Sequence, residues 1–165
     1  MKKLLVLAAI VLGFAANSFA QGASATASAS GNIISPITIS KSIDLSFGDL
    51  AVNALPGTIV LTPAGGRTAS GGVSLPAITG SVTAAEFTVS GTSGYLYTFS
   101  VPVIPTTVSN GIDNMTINNF TSNSTGTLTG GTETVNVGAT LNVGGSISTG
   151  LYTSTTPFQV TVNYN

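Results

Sequence analysis

The stretch Phe158-Gln159-Val160-Thr161-Val162-Asn163-Tyr164, just before the last residue of the chain, decides the fold class. Polar residues alternate in it with an apolar set made of Phe158, Val160, Val162 and Tyr164. Successive side chains of a β-strand point to opposite faces, so this period of two predicts a strand with one buried face. The C-terminal end of the chain is therefore predicted to be β-structure.

The same alternation recurs upstream, and its longest run ends at Val143. One face of that run carries Val135, Val137, Ala139, Leu141 and Val143. Glycine pairs such as Gly144-Gly145 separate the runs, Gly91–Gly94 is typical of a hairpin connection, and no ten-residue segment has helical spacing. These patterns predict an all-β fold, a single antiparallel β-sandwich of immunoglobulin-like or pilin-like type. A closed barrel is the alternative architecture.

The first twenty residues have the organisation of an export signal. Lys2 and Lys3 precede an apolar run over 4–16, and Ser18-Phe19-Ala20 offers small residues for cleavage. The run is shorter than the ~20 residues that a membrane-spanning helix needs. We therefore predict a signal peptide over residues 1–20 and a β-sandwich domain over residues 21–165, with no membrane insertion after cleavage. The expected location is secreted, either in the periplasm or at the outer surface of a bacterium.

Composition removes several classes of function. The 165 residues include no Cys and no His, and only 5% are charged. Disulfides, thiol catalysis and His-dependent triads are excluded, and neither a metal site nor a cofactor is expected. After residue 20 the only basic residues are Lys41 and Arg67, too few for nucleic-acid binding. A glycosidase-like hydrolase using Asp44 and Asp49 is a remote alternative, because both are expected to be solvated charges.

The mature N-terminus shows a small-residue alternation. Ala23, Ala25, Ala27 and Ala29 are separated by Ser24, Thr26 and Ser28. One interpretation is a flexible leader or the first strand of the domain's own sheet. The other is an extension that adds as a strand to a neighbouring subunit.

Five short passages resemble a family of bacterial secreted proteins of unknown function, of the DUF4402 type. They lie at 34–39, 45–48, 141–147, 150–152 and 158–164, and together they extend over nearly the whole mature chain. The resemblance implies an exported bacterial β-sandwich and carries no activity with it.

The C-terminal end also resembles pilin subunits of the chaperone–usher type and the related spore coat protein U. Tyr164 is penultimate, and Gly150 lies fourteen residues before it, as in those subunits. The resemblance implies a sandwich that lacks one strand, with Phe158, Val160, Val162 and Tyr164 facing a periplasmic chaperone. Ala23–Ala29 would then be the strand given to a homologous subunit.

The expected function is therefore a non-enzymatic structural or adhesive surface protein, of fimbrial type, that assembles with copies of itself by strand exchange. The scarcity of charge supports assembly, because charged residues normally protect edge strands from pairing. The alternative is a self-contained module that binds carbohydrate or matrix. Its stacking residues would be Tyr95, Tyr97, Phe120 and Tyr152.

Overall fold

A computed structural model describes residues 22–165, so the predicted signal peptide at 1–20 lies outside the described residues. Residues 34–165 form one compact unit. Its strands are β1 (Thr38–Ile43), β2 (Ser46–Phe47), β3 (Ala51–Leu61), β4 (Arg67–Ser74), β5 (Val82–Thr83), β6 (Ala85–Ser90), β7 (Tyr97–Ser100), β8 (Thr106–Ser109), β9 (Asn114–Ser122), β10 (Thr132–Val143), β11 (Thr153–Ser154) and β12 (Thr161–Tyr164). Apart from one 3-10 turn at Thr129–Gly131, the described residues contain no helix, and the all-β sandwich prediction is confirmed.

Strand β10 organises the main sheet. Its first half pairs with β6 and its second half with β3, while β9 runs along its other side, all antiparallel. The remaining strands extend the sheet outward from these neighbours: β1 beside β6, β4 beside β3, and β8 and β11 beyond β9. The five apolar residues predicted for one face of this strand, Val135, Val137, Ala139, Leu141 and Val143, are all buried.

The second layer of the sandwich is made of two small sheets. One pairs β12 with β7 over Thr161–Tyr164, and the other pairs β2 with β5. The C-terminal alternation therefore forms a shorter strand than its pattern predicts. Phe158 and Val160 precede β12 and still pack against the core with their half-buried side chains.

The predicted hairpin at Gly91–Gly94 is wrong. This link joins β6 of the main sheet to β7 of the second layer, and the two strands do not pair. The Gly91 amide donates to the Gly131 carbonyl at 2.9 Å, and the Thr92 amide donates to the Tyr164 hydroxyl at 2.6 Å. Both bonds tie the link to distant parts of the chain. Alternation and glycine content specify a turn but not the sheet into which the next strand passes.

The N-terminal segment, residues 22–33, has exposed side chains and contains no strand. The first strand of the compact unit begins only at Thr38. The interpretation of Ala23–Ala29 as the domain's own first strand is therefore wrong. A sheet strand needs a partner for its backbone groups, and no ladder includes this segment.

Candidate functional site: an apolar groove

A groove of about 820 Å³ lies over the inner face of the main sheet. Its floor consists of core side chains from β6, β8, β9 and β10: Phe87, Val108, Met115, Ile117, Leu141 and Val143. These residues point inward because they alternate along their strands with polar residues on the outer face. The floor is thus part of the hydrophobic core, and its six side chains are buried, with 3–8% of their surface exposed.

Two stretches far apart in sequence form the walls of this groove. Residues 44–50, which include β2, make the first wall, and residues 147–154 with Pro157 and Phe158 make the second. The hydrogen bonds of the described residues include none between 44–50 and 147–158. The two walls are therefore not joined to each other by hydrogen bonds within the described part of the chain.

Phe158 closes one end of the groove with an aromatic cluster. Its ring lies 4.9 Å from that of Phe120 and 6.4 Å from that of Phe87, and Phe87 lies 6.2 Å from Phe99. Tilted and edge-on arrangements at these centroid distances are favourable for aromatic pairs. Phe158 is thus a groove residue that also fixes the C-terminal segment to the main sheet.

Tyr164 ties the C-terminal strand to the beginning of the compact unit. Its hydroxyl donates to the Ser35 carbonyl at 2.9 Å and accepts from the Thr92 amide at 2.6 Å. The centroid of its ring lies 5.7 Å from that of Tyr95. Tyr164 and Val162 both pack against a small core cluster made of Val89, Tyr97, Leu128 and Val135. The sequence indicated an apolar role for Tyr164 but gave no signal for Ser35 or Thr92. A Cβ on Gly91 would collide with the Tyr164 hydroxyl, which explains the glycine beside this bond.

Gly150 lies in the second wall with a φ of +148°, a conformation that favours glycine. Asp113, in the turn between β8 and β9, holds this wall through its carboxylate, which accepts the Ser148 amide at 2.7 Å. That backbone hydrogen bond keeps the pKa of Asp113 below its ordinary value. The Tyr152 hydroxyl donates to the Ser148 carbonyl at 2.8 Å. Burial and the charge of Asp113 both raise the pKa of Tyr152.

The structure brings Asp44 and Asp49 to the rim of the groove, where both line the first wall. Asp44 pairs with Lys41 at 2.6 Å, and the side chain of Asp44 is 80% exposed. Asp49 lies over Gly80, and the Asp49 amide donates to the Thr79 carbonyl at 2.7 Å. Arg67 donates to the carbonyls of Phe47 and Asp49, so its charge secures the same wall. The charged residues therefore frame an apolar floor.

The residues predicted to stack on sugar rings do not form an exposed platform. Tyr97 is 2% exposed and Phe120 is 7% exposed, so both belong to the core. The Tyr97 hydroxyl donates to the Glu133 carboxylate at 2.6 Å and accepts from the Ser124 hydroxyl at 2.8 Å. Burial, followed by the Glu133 hydrogen bond, raises the pKa of Tyr97 to about 12. This part of the carbohydrate-binding prediction is wrong, because alternation along β7 turns Tyr97 inward.

Among residues 22–165, no group of three or more Asp, Glu, His or Cys side chains could hold a metal ion. Over the same residues, no helix has the length and apolar character required to cross a bilayer.

Comparison with known proteins gives one match. A family model described as "Domain of unknown function (DUF4402)" matches residues 37–164, from the residue before β1 to the end of β12, and so includes the whole groove. No curated protein and no solved structure matches the chain. Since the matched region spans most of the 165 residues, the chain belongs to the DUF4402 family.

Proposed function

We propose that this protein is an exported, non-enzymatic structural or adhesive subunit of the bacterial surface that assembles by strand exchange. In each contact, the groove of one copy takes up a strand from another copy or from a homologous subunit. The observation that carries the proposal is the open groove between residues 44–50 and 147–158, over a floor of core side chains. An inserted strand would cover that floor and occupy the gap between the two walls.

The N-terminal segment has the properties that such a strand requires. Residues 22–33 are exposed and contain no strand, so their backbone groups are available for pairing. Ala23, Ala25, Ala27 and Ala29 would face the groove, while Ser24, Thr26 and Ser28 would face water. Small side chains suit a groove whose floor already carries large residues such as Phe87 and Ile117.

The geometry of this contact implies a fibre. Donor segment and groove are different surfaces of the same chain, so the contact is head-to-tail, and such contacts extend without closing unless the rotation happens to form a ring. A groove lined largely by apolar side chains also favours non-specific association before assembly. A periplasmic chaperone that covers Phe158, Val160 and the groove floor is therefore the expected partner of the unassembled subunit.

The test compares two pairs of substitutions in the chain that begins at Gln21. Ala25→Asp with Ala27→Asp places two carboxylates on the face that would enter the groove. Thr26→Asp with Ser28→Asp adds the same charge to the opposite face of the same segment. We expect the unsubstituted chain and the second pair to form filaments, seen by electron microscopy and as high-mass species in size-exclusion chromatography. The first pair is expected to form no filaments, since buried unpaired charges are costly.

Equal assembly of both pairs, or an unsubstituted chain that stays monomeric at every concentration, would refute strand exchange. Thr26→Pro provides a further arm, because proline removes a backbone donor in the middle of the segment. It should prevent assembly although it adds no charge.

A further inference from the structure

The main sheet ends at strand β4, which has one unpaired edge. β4 spans Arg67–Ser74 and, within the part of the chain that the structure describes, pairs only with β3, so one of its two edges faces away from the sheet. Apart from this ladder, the hydrogen bonds of residues 22–165 include none to the main-chain amides or carbonyls of β4. A row of backbone donors and acceptors is therefore available along this edge.

From Thr68 to Gly71 the usual protections of an edge strand are missing, and the ladder with β3 is irregular only beyond Gly71. Residues 68–74 contain no charged residue and no proline. The one charge of the strand belongs to Arg67, whose guanidinium is bound to the carbonyls of Phe47 and Asp49. Thr68 and Ser70 are exposed and small, so they place no bulk in front of an approaching strand. The register with β3 is regular from Arg67 to Gly71, which makes this stretch a straight template.

We infer that two copies of this chain associate through their β4 edges, as antiparallel strands related by a two-fold axis. The partner is a second copy, because residues 68–74 carry no charge that would be repelled by the same residues of an identical strand across a two-fold axis. Pairing would join the two main sheets into one continuous sheet. Neither the groove nor the N-terminal segment takes part, so this contact is independent of strand exchange and would link neighbouring fibres side by side.

The absence of cysteine from the sequence allows a direct test by cross-linking. An axis at Ala69 places Thr68 of one copy opposite Ser70 of the other, and an axis at Thr68 or at Ser70 places that residue opposite itself. Thr68→Cys and Ser70→Cys are therefore oxidised singly and as a mixture. Thr116→Cys is the control, on the exposed face of the interior strand β9. We expect disulfide-linked dimers from the β4 cysteines at a level about tenfold above the control.

Sedimentation velocity provides the second measurement, in the Ala25→Asp, Ala27→Asp background where exchange through the groove is blocked. Concentration-dependent dimers are expected there. Thr68→Lys with Ser70→Lys should raise their dissociation constant about tenfold or more, because like charges then lie opposite each other across the axis. Asn114→Lys with Thr116→Lys, the same change on β9, should leave the dimer intact.

Three results would overturn the inference: β4 cysteines that cross-link no better than Thr116→Cys, a monomer up to millimolar concentration, or equal weakening by both lysine pairs. Circular dichroism of each variant is the control for correct folding. A failure of filament formation through the groove, with dimers retained, would count against strand exchange alone.

Discussion

Replacement of Tyr97 by phenylalanine tests the hydrogen-bond cluster that holds the second layer on the main sheet. Tyr97 pairs with Tyr164 in the β7–β12 sheet, and its hydroxyl bonds to Glu133 of β10 and to Ser124. Phenylalanine keeps the ring and removes both bonds. A hydrogen bond to a charged group contributes about 1.5–3 kcal/mol and a neutral one about 1 kcal/mol. The Glu133 carboxylate keeps two bonds, from the Thr125 amide and hydroxyl, which limits the loss.

We expect the free energy of unfolding to fall by about 2–3 kcal/mol at pH 7, measured by guanidinium denaturation. Tyr95→Phe is the matched control. Tyr95 is about two-fifths exposed, and its hydroxyl makes no hydrogen bond among the described residues, so its removal should change stability by less than about 0.5 kcal/mol.

The pH dependence gives the same prediction a second readout. The pKa of Tyr97 is raised from its ordinary value of 10.0 to about 12 in the folded protein. The unfolded chain therefore loses this proton first as the pH rises, so the contribution of Tyr97 is complete below pH 10 and is lost between about pH 10 and 12. The stability difference between the unsubstituted chain and Tyr97→Phe should shrink over that interval. A constant difference from pH 7 to 12, or a loss below 0.5 kcal/mol at pH 7, would refute this account of the cluster.

Three further substitutions test the groove and its supports. Gly91→Ala should destabilise the fold, because the added Cβ would collide with the Tyr164 hydroxyl. The loss of stability should be smaller in a Tyr164→Phe background, with a coupling energy of about 0.5–3 kcal/mol in a double-mutant cycle. Additive effects of the two substitutions would contradict the contact. Asp113→Ala removes the acceptor of the Ser148 amide and should release the second wall and speed chymotrypsin cleavage at Leu151 or Tyr152, whereas Asp49→Ala should not. The same release is expected in the unsubstituted chain when the pH falls through the lowered pKa of Asp113. Asp44→Asn with Asp49→Asn should change stability by less than about 1 kcal/mol and leave assembly intact, since exposed ion pairs contribute little; a hydrolytic activity that this pair abolishes would contradict a purely structural role.

Local pattern was sufficient for the strands that lie at the centre of the sheet. Every apolar residue of the run from Val135 to Val143 is buried, because β10 is flanked along its length and only one of its faces meets the second layer. The alternation of Phe87 and Val89 along β6 was equally reliable for the same reason. In a strand that has neighbours on both sides, every second side chain points to the buried face, so the alternation in the sequence directly identifies the core residues.

The alternation of side chains does not predict which strands pair when they are far apart in the sequence, and the incorrect predictions show why. The link at Gly91–Gly94 has the glycines of a hairpin, yet Thr92 is bonded to Tyr164, and the following strand pairs with the C-terminus. The two walls of the groove are separated by about a hundred residues of sequence. The alternation within each wall does not depend on whether the two walls pair with each other, so the sequence could not predict the groove. The sequence identified Arg67 only as one of two basic residues after residue 20. Its role in the first wall could not be predicted, because the carbonyls that it binds belong to Phe47 and Asp49, about twenty residues earlier in the chain.

The apolar and main-chain contributions to the proposed strand exchange can be compared from the residues of the N-terminal segment. Four alanine methyl groups buried at ~0.8 kcal/mol each would contribute roughly 3 kcal/mol. A segment of about eight residues could add a similar number of main-chain hydrogen bonds, each worth ~0.5–1.5 kcal/mol net, so the main-chain contribution equals or exceeds the apolar one. The small donor face is therefore compatible with a stable contact in which main-chain pairing contributes at least half of the energy. On this basis the backbone change Thr26→Pro should weaken assembly more than shortening any single alanine to glycine, although the proline leaves every groove-facing methyl group in place.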